Sequence, residues 1–262
     1  MNLYSPLCEI LNTTDHPTIR ASFRIASLDE GYLIARAVEP IVAALNDPAT
    51  TDSMNRELRH LSREIVSQIL AVESAGYIPC EFELPGDEWD ESTRRNRNCG
   101  CQFDDTAYRS AMNALRLLAP FTGSLEDAAW AAYGRCLDFI IRVFNKTQAR
   151  GIPHTVNCDG VSIQARKHEP AGILSIREAT DLITECNNAP DQFSDKTDII
   201  IRKLANFLKV TRGIGTLGAN EWPRYVWDGD AASNNQLDIY DCTPYAELSG
   251  DWPIKRGLFE AQ

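Results

Sequence analysis

Residues 124–151 constrain this chain more than any other stretch. Ser124 stands three residues before Asp127, a hydroxyl N-cap and an acid that resemble a capping box with Asp in place of Glu or Gln. Lys146, Arg150 and Gly151 supply the basic charge and the stop that a helix C-terminus favours. Between them Trp130, Tyr133, Leu137, Ile140, Ile141 and Phe144 recur at helical spacing. The pattern predicts one helix over 124–150, about 39 Å long at 1.5 Å per residue, with a wide apolar face. Such a face must be covered, so the chain is expected to build a helical body around it.

Other segments supply the cover. Asp104 or Asp105 is expected to cap a helix ending at Leu118, with Ala107, Ala111, Ala114, Leu115 and Leu118 inward. Pro120 and Gly123 leave only a short connection, so this helix should pack antiparallel on the next. Ser27 with Glu30 opens a helix to Asn46 that Pro40 should kink or split. A shorter helix, begun by Pro17, precedes it. From Asp52 to Ala75, Met54, Leu58, Leu61, Ile65, Ile69 and Val72 form a narrow stripe, with Arg56, Arg59, Arg63 and Glu64 off it and Gly76 as the stop. Three heptads are marginal for a coiled coil, so packing inside the body is expected.

Beyond Gly151 the period changes. His154–Cys158 and Val161–Arg166 flank Asp159-Gly160, the dipeptide of a tight two-residue hairpin. Val156, Cys158, Val161 and Ile163 would share its apolar face. Ser175 with Glu178 opens a further helix, and Ser194 caps another to Arg212 that should bury Ile199, Ile200, Leu204, Phe207 and Leu208. The expected fold is mainly α: a bundle-like body with a small β-hairpin and an extended, aromatic-rich C-terminal segment. Residues 1–150 form the helical body and 151–262 the remainder, or the two make one continuous domain.

Composition narrows the partners. Lys and Arg number 26 against 37 Asp and Glu, a net charge of -11 in 262 residues. That balance opposes non-specific attraction to phosphate backbones and anionic lipid. No apolar run reaches the roughly 18 residues of a membrane span, and no export signal is evident, so a cytoplasmic, membrane-free protein is expected. Its eight cysteines should be reduced, with Cys136 and Cys186 as small buried hydrophobes.

Motifs for chemistry are present only in part. Gly213-Ile-Gly-Thr-Leu-Gly218 spells the dinucleotide fingerprint but follows a helix, where the mechanism requires a strand before it. Cys80, Cys99 and Cys101 are the thiols a zinc ion would use, but they lack paired spacing; free cysteines and no cofactor are expected. His154, Asp159 and His168 are the candidates for an acid–base site, with Cys158 beside the first two. Asp228, Asp230, Asp238 and Asp241 crowd a Gly turn without the order of a calcium loop.

Two segments suit binding. The long 77–103 loop carries Trp89, Arg94, Arg95 and Arg97, and the C-terminal segment carries Trp222, Tyr225, Trp227 and Trp252. Aromatics so concentrated either wrap their own body or dock on a partner. The sequence therefore points to a non-catalytic cytoplasmic subunit or adaptor with a protein partner, meeting nucleic acid only through a larger complex. The alternatives are an enzyme with a dispersed His/Asp site, metal-dependent or not, and an acidic mimic of nucleic acid.

Overall fold

The computed structural model describes residues 30–78, 100–102, 107–162, 172–212, 221–223, 225–227, 239–240, 242–243 and 245. Among them are six α-helices: α1 (Glu30–Asn46), α2 (Asp52–Val72), α3 (Ala107–Leu118), α4 (Glu126–Thr147), α5 (Ile176–Asn187) and α6 (Ser194–Val210). The strands are short: β1 (Gly100–Gln102), β2 (Thr155–Asn157), β3 (Ile173–Ser175), β4 (Trp222–Pro223), β5 (Tyr225–Trp227) and β6 (Ile239–Tyr240). The chain is mainly α with small antiparallel β elements, as its periodicity predicts. It divides into two compact units whose boundary falls inside α4, between Cys136 and Leu137.

In the first unit α1, α2 and α3 pack against one another. Of the expected stripe of α2, Leu58, Leu61, Ile65 and Ile69 are fully buried, Met54 is half-buried, and Val66 joins the buried set, so this part of the stripe serves the chain's own core. Helix α1 runs unbroken through Pro40. Thr51 caps α2 by accepting from the Met54 amide, but the helix ends at Val72, three residues before the expected end at Ala75. Ser74 and Tyr77 instead exchange both backbone hydrogen bonds at 2.9 Å around Ala75 (φ 50°) and Gly76 (φ 85°). This is the geometry of a two-residue hairpin turn with both central residues left-handed, and glycine occupies the second of them.

Helix α4 begins two residues later than Ser124 suggests. Ser124 lies in a 3-10 turn, Gly123–Leu125, and a second such turn, Ala119–Phe121, precedes it. Tightened turns of this kind commonly lead into helices. At the far end the left-handed residue is Gln148 (φ 50°), not Gly151. Twenty-two helical residues span about 33 Å. Trp130 and Ile141 are half-buried, while Ala129, Ala132, Tyr133, Cys136, Phe139, Ile140, Val143 and Phe144 form the buried face.

The second unit pairs α5 with α6. Ser175 caps α5 through the Glu178 amide, the hydroxyl half of the expected box. Ser194 is instead the first residue of α6, which carries no side-chain cap; the 3-10 turn Asp191–Phe193 leads into it. Strand β3 pairs antiparallel with β5, placing Leu174 opposite Val226. Its other edge takes a bridge from Pro153, with Ser175 donating to Ile152 and His154 to Ile173.

The Asp159-Gly160 hairpin is present with a different register. Val156 bridges Ser162, so five residues, not two, form the loop, with Gly160 at φ 79°. A shift of one residue exchanges the faces of a strand. Val161 is accordingly exposed and Ser162 buried, opposite to expectation.

Candidate functional site

Glu73, Arg135 and Tyr108 of the first unit converge on the Ala75–Gly76 turn. Glu73, with a side chain only 4% exposed, accepts from the Gly76 amide at 2.6 Å. It also accepts both prongs of Arg135, Nε on Oε1 at 3.1 Å and Nη2 on Oε2 at 2.5 Å. The hydrogen bond to Glu73 raises the Arg135 pKa, opposed by partial burial. The Tyr108 hydroxyl lies 3.1 Å from the Gly76 carbonyl oxygen and 3.0 Å from that of Cys136, as donor to either. Burial drives the Cys136 thiol well above its usual pKa, and the Glu73 charge adds to this; the Tyr108 hydroxyl and Arg135 pull the other way. A thiol so held is a packing group and a poor nucleophile. This cluster fastens a turn.

His154 sets its ring 4.7 Å from that of Tyr225, centroid to centroid, while Cys158 and Asp159 are exposed on the hairpin turn. Strand alternation therefore does not extend from His154 to Cys158. His168 lies outside the described residues, as do the glycine motif 213–218 and the aspartates at 228, 230, 238 and 241. Cys80, Cys99, Trp89, Arg94, Arg95, Arg97 and Trp252 also lie outside them, as do Asp104, Asp105 and the segment before Glu30; Cys101 and Trp227 are described in their backbone only.

Two aromatics expected to meet a partner are used by the chain itself. Trp222 is fully buried, donates its indole N–H to the Leu208 carbonyl at 2.7 Å, and has the Arg212 guanidinium 5.8 Å from its ring centroid. Tyr225 is buried, with its backbone paired to Ser175 of β3 and its ring beside that of His154. Indole and phenol combine large apolar area with one polar handle, which suits a buried edge as well as an interface. Of the two uses open to the C-terminal aromatics, these residues take the intramolecular one.

What the second unit presents outward is a face of α6. Ile200, Ile201, Leu204, Ala205, Phe207 and Leu208 are buried, but Ile199 is 52% exposed and Val210 58%. Ile199 and Ile200 are both expected inside; Ile200 is buried, while Ile199, 100° away round the helix, is not. Asp195, Arg202, Asn206 and Lys209 share the exposed side. A depression of about 440 Å³ opens over Asp195, Asp198, Ile199, Arg202, Lys203 and Asn206. Eleven residues separate Ile199 from Val210, so the two lie about 16 Å apart and within about 20° of one line along the helix. β-Branched side chains are disfavoured at exposed helix positions, where they lose rotamer freedom without burial in return.

No protein-family model matches the chain, and no curated protein or solved structure matches it.

Proposed function

We propose that this chain is a non-catalytic cytoplasmic subunit that docks on a protein partner, and that it reaches nucleic acid only within a larger assembly. The observation that carries the reading is the outer face of α6, where Ile199 and Val210 stand exposed along one line among charged residues. Apolar anchors ringed by polar groups are the anatomy of a protein interface. The chain's own chemistry supports it: the Glu73 carboxylate and the Tyr108 hydroxyl bind backbone and side-chain groups inside the first unit. The Arg94–Arg97 segment and Trp252 belong to the same proposal as further contacts.

Affinity capture from the native source tests it, comparing the native chain with an Ile199→Asp/Val210→Asp variant of unchanged helicity. The native chain should retain a protein that the variant loses. Equal capture by both removes α6 as the docking face, and a catalysed turnover by the purified chain removes the non-catalytic reading.

A further inference from the structure

The outer side of α2 carries a row of cations in an acidic chain. Arg56, Arg59 and Arg63 stand exposed within about 60° of one another round the helix, and about 10.5 Å separates the first from the last along it. None of the three forms an ion pair among the described residues. Two of them are nonetheless held in place. Arg59 donates its Nε to Asn55 Oδ1 at 2.8 Å and sets its guanidinium 5.5 Å from the Phe121 ring centroid. Arg63 donates its Nε to the Thr122 carbonyl at 3.3 Å, and its Nη2 borders Gly123, where a Cβ would stand 3.7 Å from it. With Nε engaged on the protein, each guanidinium keeps the N–H groups of Nη1 and Nη2, and that pair matches the two oxygens of a carboxylate end-on.

We propose that this row is a docking site for a short acidic segment of a partner protein. Arg59 and Arg63 are about one helical turn apart, roughly 6 Å, which is the spacing of acids at i and i+4 on a helix or at i and i+2 on an extended strand. Each takes one carboxylate through its Nη pair, and Arg56 extends the row to a third. Asn55, Phe121 and the Thr122 carbonyl already fix two of the side chains, so less rotamer freedom is lost when the acids arrive. The surroundings select a short segment over a nucleic acid or a lipid surface. Glu57 and Glu64 lie about 80–100° to one side of Arg56, Asp52 stands a turn before it, and the chain's net charge is -11. A long polyanion following the row would run onto those acids, whereas a few carboxylates stay within it. The site lies in the first unit and uses nothing of α6, so this inference and the docking face proposed there can fail separately.

Fluorescence anisotropy of a labelled octaglutamate peptide titrated with the full chain tests it. The native chain should bind the peptide, more weakly as salt rises from about 0.05 to 0.3 M. Arg59→Gln/Arg63→Gln, at unchanged helicity, should raise the dissociation constant at least about tenfold. Arg59→Lys/Arg63→Lys should fall between, because an ammonium keeps the charge and loses the paired contact. Lys146→Gln/Lys209→Gln removes two exposed cations elsewhere and should leave binding unchanged. Ile199→Asp/Val210→Asp should bind the peptide as the native chain does. No binding by the native chain, or equal binding by it and the Arg→Gln variant, overturns the site. A loss as large in the two-lysine variant shows general charge attraction and overturns it as well. An oligothymidylate that binds through the same arginines more tightly than the peptide overturns the acidic segment as the occupant.

Discussion

Gly151 lies so close to the ring of Phe207 that a Cβ on it would stand 2.6 Å from the ring's Cδ1, well inside van der Waals contact. Phe207 is buried, so its ring has no open space to swing into. Gly151→Ala is expected to destabilise the protein by about 1–3 kcal/mol, the usual cost of overpacking. Combining it with Phe207→Leu should cost less than the sum of the two single changes. A double-mutant cycle in urea checks this, and strict additivity would refute the contact.

Ala75 holds a left-handed φ of 50°, which glycine and asparagine adopt at lower cost than alanine. The position is exposed, so a change there alters the turn and not the core. Ala75→Asn should stabilise the protein by roughly 0.5–1 kcal/mol, read as a higher denaturation midpoint at an unchanged slope. A lower midpoint would show that the turn is not left-handed at this residue.

Arg135 bonds a carboxylate that is almost fully buried, although Arg135 itself is 44% exposed. Its exposure limits the gain from charge attraction. Removing it still leaves Glu73 with the Gly76 amide as its remaining partner in the turn. Arg135→Ala should therefore cost about 1–2 kcal/mol, with Arg135→Lys intermediate because one ammonium cannot match a two-pronged contact. Parallel thermal melts of the three proteins decide the order.

Cys136 links stability to alkaline pH. An unfolded cysteine loses its proton near pH 8.5, whereas the buried Cys136 thiol keeps its own well above that. Above that pH the folded state binds more protons than the unfolded one, so stability falls as pH rises, by up to about 1.4 kcal/mol per unit. Cys136→Ala should make the decline between pH 9 and pH 10.5 shallower, as followed by urea denaturation at several pH values. In the native chain Cys158 should react with a thiol reagent long before Cys136, since only the first is exposed.

Trp222 fills core volume and ties itself to the end of α6. Trp222→Phe keeps much of the apolar area but leaves the Leu208 carbonyl without this donor, at about 1–3 kcal/mol. Trp222→Ala adds a cavity and should cost about 3–5 kcal/mol. Similar losses from both would mean that the hydrogen bond, not the packing, holds this segment.

The helices were legible in the sequence because their information is local. The apolar stripe of α2, the Ser175 cap and the long face of α4 each depend on residues three or four apart, and each forms as spaced. Their ends were less legible, since Gln148 and the Ala75–Gly76 turn terminate helices through conformations that the residue types do not announce. Tertiary structure alone decided the rest. Gly151 reads as a helix stop, yet its bare Cα answers to Phe207, fifty-six residues away. The hairpin around Gly160 differs from its two-residue form by one position, enough to bury Ser162 and expose Val161. Trp222 and Tyr225 look the same on paper whether they meet Leu208 and His154 or another protein. Ile199 and Ile200 are equal as residues; which of them faces water depends on how α6 sits against α5. Spacing along the chain sets which side chains share a face, and only packing decides what that face meets.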